Sequence, residues 1–575
     1  MKNAESPSPP SKKTEANTII RGRLQQGMTV LRQDVRSFWD ANKKTFCALL
    51  LLHLIGISAI VRANVFYIDD VRRAVGGFRE FGFGRKLSDF LAILVHADTS
   101  VWDISPLTQL LAVCFLSAAG CIVIYLLSEK RKFDLWTVIA VLPLGLSPYF
   151  LECLSYKFDC PYMALSILLS VLPFLFYKYG LPLYCAVSFV GCLFMCMLYQ
   201  ASSGIYPMLT ALLCFHRWNS GRPLKDVFRF WLASASSYCL GLVAFRILFA
   251  TDTYSYVDSS VSLSMLPKNL RAYFTYIRLD FKFWWLALIL LIAAFFVYAA
   301  ARDTAIKSRA LSGLIAAVTV LVMLPLSYGA YSVLEKPWTD PRAMYGFGVF
   351  IAFISVYAAA RDTGMGPYTM AAYIAVVTPL VVLFFSFGSA GGFQNPLTSP
   401  GFMRGFGIFI ALIAVCVGVY AFGAKIRPAK LACLCLSWAF FVFAFTYGNA
   451  LADNQRYQEF RTEAAIQDIC ETEVFLSAVR NNQIIRVQIK GAIDKTPLLS
   501  RSDDSQNLLR RLVPNIVNGS WAHGRVYFQY HYGIGDYIVM DFSEDFQQLN
   551  LPVLKDTFFH TIRGDSEHIL IEFKH

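Results

Sequence analysis

Apolar runs of about 20 residues recur from near residue 45 to near residue 447, and each is long enough to cross a bilayer. That feature limits the fold more than any other. Inside lipid every backbone amide and carbonyl must be satisfied within its own segment, so a chain of such runs folds as a helical bundle. The runs lie at roughly 45–63, 107–127, 135–151, 162–177, 182–200, 204–216, 228–250, 283–301, 310–328, 343–360, 369–389, 402–423 and 430–447. They make about thirteen transmembrane helices, with 204–216 the shortest. Charged residues are only 16% of the 575, where a soluble protein carries about 25%, and the mean hydropathy is +0.48. The expectation is a polytopic α-helical membrane protein with a polar segment over 1–44, a transmembrane region over 45–447 and a small α+β domain over 448–575.

The net charge of +13 raises the question of nucleic acid, but its placement points to lipid. Basic residues gather in short connections between apolar runs, and no Lys/Arg face interleaved with aromatics occurs, so no nucleic-acid partner is expected. If the basic N-terminus is cytoplasmic, the inside loops read SEKRKFD, YKYGLP, HRWNSGRPLKD, ARDTAIKSR, ARDTGMGP and AKIRPAK. Each carries Lys or Arg. The alternate loops SYKFDCP, TDTYSYVDSSVSLSML, SYGAYSVLEKPWTDPR and GSAGGFQNPLTSPG are acidic or rich in Tyr, Pro and Gly. This is the positive-inside bias, and an odd number of spans places everything after 448 outside.

The tail MKNAESPSPPSKKTEANT is too rich in Pro, Ser and Lys to fold alone, and the stretch up to 44 reads as an amphipathic surface helix. The first apolar run begins too late for a secretory signal peptide. The octapeptide VYAAARDT occurs at 297–304 and again at 356–363, each time where a helix reaches the cytoplasm. Beyond 448, LADNQRYQEFRTEAAIQDICETEVFLSAVR reads as a long polar helix and SDDSQNLLRRLVPNIV as a capped one. NQIIRVQIKG, GRVYFQYHYG, DYIVMDFS and HILIEFKH read as strands. Trp521, Tyr527, Tyr530 and Tyr532 cluster there, as a sugar-stacking surface or as sheet core.

No C-x-x-C pair with zinc spacing occurs among the 14 cysteines, and no metal or other cofactor is expected. Cys153 and Cys160 flank one hydrophilic loop, where a disulfide is conceivable. G-x-S-x-G, P-loop and H-E-x-x-H patterns are absent, which disfavours a hydrolase, an NTP-driven pump or a zinc protease.

The densest charge follows the first span, in YIDDVRRAVGGFREFGFGRKLSD over 67–89. If 68–75 is helical, Asp69 shares a face with Arg72 and Arg73, and Asp70 precedes Arg73 by three. Leu87, Phe90, Leu91 and Leu94 then form the apolar stripe of a helix lying in the membrane interface. Such a loop holds carboxylates and guanidiniums at headgroup level. One chemistry needs both: transfer of a sugar from a lipid phosphate, in which arginines oppose the charge growing on the phosphate and a carboxylate takes the acceptor hydroxyl's proton. An interfacial anchor is the other reading. A transporter or flippase of lipid-linked sugars is the alternative class, but it would place ionisable groups near the midplane. Here the charge concentrates at span ends, with Arg246, close to an outer end, the nearest to a buried one.

At these residues the chain resembles the polytopic glucosyltransferases of O-antigen modification clusters, often phage-borne, called the glucosyltransferase type II family. DDVRRAVGG…FGFGRKLSD resembles the family's opening motif, here Asp69, Asp70, Arg73, Gly84 and Arg85. SPYFLECLSYKFDCPYMALS resembles its second outer loop, with Glu152, Tyr156, Asp159 and Met163. WTDPRAMYGFGVF matches at Arg342, and YGNALADNQRYQEFRTEAAIQDI resembles the segment leaving the last span. Where the family often has a Trp in the first loop, this chain has Phe78, Phe81 and Phe83.

The resemblance implies a GT-C-like bundle in the bacterial inner (plasma) membrane, with its active site and C-terminal domain in the periplasm. It implies an undecaprenyl-phosphate-glucose donor, a polyprenyl-phosphate sugar, and a lipid-linked O-antigen acceptor, joined with inversion at the anomeric centre. Asp70 is the first choice of general base, with Asp69 next. Arg73 and Arg85 would hold the donor phosphate and Arg342 would complete the clamp. Asp159 and Tyr156 would contact acceptor hydroxyls.

Overall fold

The computed structural model describes residues 12–128, 133–249, 260–361, 427–500, 507–518, 522–530, 532–541 and 543–574, with isolated positions between 403 and 411. The spans expected at 369–389 and 402–423 lie outside the described residues. Among the described residues, nine helices are long and apolar enough to cross a membrane, or ten if the bent pair Leu135–Leu146 and Pro148–Ser155 is one span. The chain is a polytopic helical membrane protein.

Some of the described segments depart from the expected rods. The run 135–151 breaks into Leu135–Val141, Pro143–Leu146 and Pro148–Ser155, with a 59° bend, because Pro143 and Pro148 cannot continue the amide ladder. The run 204–216 becomes the 15-residue helix Ile205–Asn219 after a 3-10 turn, about 22 Å long and too short to span a bilayer alone. Tyr206, Leu209 and Leu212 bury it among its neighbours. At the N-terminus one continuous helix, Lys12–Ala63, takes the place of the separate surface helix expected before the first span.

Described residues of three basic loops expected on one side meet at one end of the bundle. Arg361 donates to the Leu127 carbonyl at 3.3 Å, bonds His216 at 3.1 Å and pairs with Asp303 at 3.2 Å. The last of these joins the two VYAAARDT copies. Asn219 donates to the carbonyls of Ala300 and Asp303 at 3.1 and 3.0 Å.

At the other end the long helix Pro428–Cys470 leaves the bundle and packs against a five-stranded sheet. Its strands are β1 (Ile485–Lys490), β2 (Ile538–Met540), β3 (Val553–Asp556), β4 (His560–Gly564) and β5 (His568–Phe573), in the order β2-β1-β5-β4-β3. β1 runs parallel to β2 and β5, and β4 antiparallel to β5 and β3. GRVYFQYHYG, expected as a strand, falls over 524–530 in the helix Ala522–Tyr530. Gly524, Tyr527 and Phe528 are buried, a spacing that matches one helix face and not a pleat. Tyr527 and Tyr532 pack edge to face at 6.1 Å inside this unit, so they serve its core, while Tyr530 is exposed and Trp521 lies outside the described residues. Cys153 and Cys160 are separate buried thiols.

Candidate active site

The end of the bundle that carries the sheet holds a cavity of about 410 Å³. It is walled by segments far apart in sequence: the first loop, the start of helix Cys160–Val171, residues 196–203, the end of helix Leu224–Leu248, and residues 330–342. Four guanidiniums line it, those of Arg73, Arg85, Arg246 and Arg342, against two carboxylates, Asp69 and Asp159. Leu242, Val243 and Phe245 form an apolar wall, and beside them Leu240, Ile247 and Leu248 are exposed along the same helix.

Backbone geometry sets the first loop. The short helix Asp70–Gly76 ends on Gly77, whose φ of +62° lies in the left-handed region that glycine adopts most readily. Arg73 reaches the segment that follows this turn. Its Nη1 donates to the carbonyls of Phe78 and Glu80 at 3.1 and 3.2 Å, and its guanidinium sits 4.1 Å from the centre of the Phe81 ring. Its Nη2 lies 3.3 Å from Asp159 Oδ1, joining the first loop to the loop at 156–159. Burial pushes the Asp159 carboxyl up, and the Arg73 charge opposes that rise.

Arg85 owes its place to the glycine before it. Gly84 has φ +71°, and a Cβ there would stand 2.5 Å from the Phe249 carbonyl oxygen, so only Gly lets this loop lie against the end of helix Leu224–Leu248. The Arg85 guanidinium stacks 4.5 Å from the Tyr199 ring centre, and its Nε donates to Gln200 Oε1 at 3.4 Å. Gln200 in turn donates to the Phe83 carbonyl at 2.8 Å.

Arg342 enters from the opposite wall. Glu152 Oε2 accepts its backbone amide at 2.7 Å, and Oε1 lies 4.0 Å from its Nε. The guanidinium lies between the rings of Tyr156 and Trp338, at 5.2 and 5.0 Å. Tyr156 is fully buried and its hydroxyl has no hydrogen-bond partner among the described residues, so it underlies Arg342 and is not part of the cavity wall.

The adjacent aspartates diverge. Asp69 faces the cavity. Asp70 is completely buried, and its Oδ2 accepts the amides of Tyr67 and Lys157 at 3.0 and 2.9 Å. Asp70 fastens these two loops together and has no surface in the cavity. Of the residues singled out from sequence, the structure thus brings Asp69, Arg73, Arg85, Asp159 and Arg342 to one cavity, and keeps Asp70 and Tyr156 behind it. It adds Arg246, noted from sequence only for its charge, Trp338, which opens the WTDPRAMYGFGVF motif, and Tyr199, Gln200 and Tyr331, which carried no signal beyond ending or following an apolar run. Among the described residues no three His, Cys, Asp or Glu side chains converge as metal ligands.

Apolar helices enclosing an arginine-rich cavity at one end define the class, a polytopic membrane protein with a cationic cavity. The family model described as glucosyl transferase GtrII matches residues 58–353, a span that contains every cavity residue named above, and the chain belongs to that family. It is also similar to an "uncharacterized 55.3 kDa protein in gtrB 5'region" of Salmonella phage P22, at 24% identity over 233 residues. That match covers 39% of this chain and 47% of the phage protein, so the chain spans about half the length of this relative. No solved structure matches the chain.

Proposed function

We propose that the protein transfers a hexosyl group, glucose by family, from a polyprenyl-phosphate donor to a lipid-linked O-antigen sugar on the periplasmic face of the inner membrane. The observation that carries this reading is the meeting of four arginines, two carboxylates and a lipid-side apolar wall in one cavity. A phosphate at headgroup level would be held by Arg73, Arg85 and Arg342, with Arg246 at the rim. The polyprenyl chain would leave along Leu242, Val243 and Phe245.

In the reaction the acceptor hydroxyl oxygen bonds to the anomeric carbon from the face opposite the phosphate. The carbon–oxygen bond to the phosphate breaks, and polyprenyl phosphate leaves with the bonding pair. The hydroxyl proton passes to a carboxylate. We assign that role to Asp69, which faces the cavity, in place of Asp70, which does not. Asp159 would steady Arg73 and receive an acceptor hydroxyl. Growing negative charge on the leaving phosphate is opposed by guanidiniums in a partly desolvated site, where such contacts are worth most. The 1–44 segment and the 448–575 domain keep, in this reading, the cytoplasmic and periplasmic placements that the basic loops favour. Charge gathered at the bundle end supports chemistry at the interface over passage through the core.

The test is transfer of radiolabelled glucose from polyprenyl phosphate to a lipid-linked glycan by purified protein, with mass spectrometry of the surface polysaccharide with and without the gene. An unchanged polysaccharide and no transfer would refute the reading.

A further inference from the structure

Part of the segment between β1 and β2 leaves the sheet. Its helix Asn507–Leu512 reaches into the bundle, where Leu508, Leu509, Leu512 and Val513 are buried in the same apolar cluster as the membrane helices. Two bundle tyrosines grip its end: Tyr67 donates to the Leu512 carbonyl at 2.6 Å, and Tyr447 to the same oxygen at 3.4 Å.

Beside this plug, Arg511 makes contacts that a packing role does not need. Nη1 pairs with the buried carboxylate of Asp280, at the end of helix Leu266–Asp280. Nη2 donates to the Thr339 carbonyl at 2.7 Å, and the guanidinium stacks 4.4 Å from the Tyr276 ring centre. Thr339 lies within the stretch from Trp338 to Arg342, both ends of which line the cavity. The same stretch is held from the other side. Asp280 Oδ2 accepts from Tyr149 at 2.7 Å, and Tyr149 shares a helix with Glu152, which accepts the Arg342 amide. A ring of contacts therefore runs from Arg511 to Arg342 by two routes, one through Thr339 and one through Asp280, Tyr149 and Glu152.

We propose that Arg511 is a positioning residue for the cavity: the C-terminal segment, through Arg511, sets the place of the Trp338–Arg342 stretch and so the grip of Arg342 on the donor phosphate. This rests on the proposed function for the identity of the ligand, but the positioning itself does not.

Full-length protein in nanodiscs carrying Arg511→Met, Arg511→Lys or Asp280→Asn separates the possibilities. Loss of a charge-assisted contact at one remove should raise the donor KM about tenfold in Arg511→Met, with acceptor KM within about twofold. Arg511→Lys, which keeps the charge but not the fork, should recover part of that loss. Amide hydrogen exchange over residues 336–345 should quicken in Arg511→Met and Asp280→Asn relative to wild type. A donor KM and an exchange rate both equal to wild type in Arg511→Met would overturn the inference. If Arg511→Met does not accumulate as folded protein, Arg511→Lys carries the same readouts, and wild-type values in it would overturn the inference equally. If wild-type protein transfers no sugar, the function falls, and the exchange measurement alone decides whether Arg511 positions the stretch.

Discussion

Asparagine at Asp69 and at Asp70 should have opposite consequences, although the residues are adjacent. Asp70 is fully buried and serves two backbone amides, those of Tyr67 and Lys157. Burial drives its carboxyl well above the ordinary 3.8, with the Lys157 amide pulling the other way. A carboxyl raised on folding stabilises the fold while protonated. That contribution is complete below the unfolded value of 3.8 and is lost as pH rises through the folded value. Asp70→Asn keeps a carbonyl oxygen for the amides and carries no charge to desolvate, so it should cost within about 1 kcal/mol at neutral pH. It should also flatten the fall in melting temperature toward alkaline pH. Asp70→Ala strands both amides, at about 1–3 kcal/mol each, and should loosen the first outer loop from the second.

Asp69→Asn leaves those bonds alone and removes the carboxylate in the cavity. A positioned general base contributes about 10²–10⁴-fold to rate, or about 3–5 kcal/mol of barrier. The assay is sugar transfer per folded molecule, with melting temperature followed in parallel at acidic and alkaline pH. Asp69→Asn should melt like wild type and turn over at least a hundredfold more slowly, as an order of magnitude. Asp70→Asn should retain turnover. An inactive but well-folded Asp70→Asn beside an active Asp69→Asn would refute the assignment.

The remaining expectations concern the cavity walls. Arg73→Met strands the buried Asp159 carboxylate, a loss of about 3–5 kcal/mol for one partner of a buried pair, visible as a lowered melting temperature. Arg73→Met combined with Asp159→Asn should melt above Arg73→Met alone, and equal melting would show that the pair is not coupled. Arg246→Ala, on the exposed rim, should raise donor KM about three- to tenfold at low salt and less at high salt, with unchanged melting; a salt-independent effect would refute a charge role. Tyr156→Phe removes a hydroxyl that has no partner and should change stability by no more than about 0.5 kcal/mol and leave turnover intact. Lost turnover there would return Tyr156 to direct contact with the acceptor.

Features that depend on local hydropathy are legible in the sequence, and features that depend on which distant segment a side chain meets are not. Leu107–Leu127 and Phe283–Arg302 fall within a residue of their apolar runs because lipid selects for length and apolarity alone. The loop arginines and aspartates are legible as a cluster, since no other outer loop holds so many charges. Their division of labour is not. Asp70 is taken out of the cavity by the amide of Lys157, 87 residues away, and Arg73 is committed to Asp159 on that same second loop. Arg511 lies farther still, in a segment whose pattern reads as an ordinary capped helix, and its partner Asp280 ends a helix outside the apolar runs. Even the mistaken strand at GRVYFQYHYG follows this division: its aromatic residues suit either period, and only packing against the long helix and the sheet selects the helical face. Charge counting along a membrane chain can thus find the end of the bundle where chemistry is possible, whereas the choice between two neighbouring carboxylates is made by the backbone amides that one of them meets.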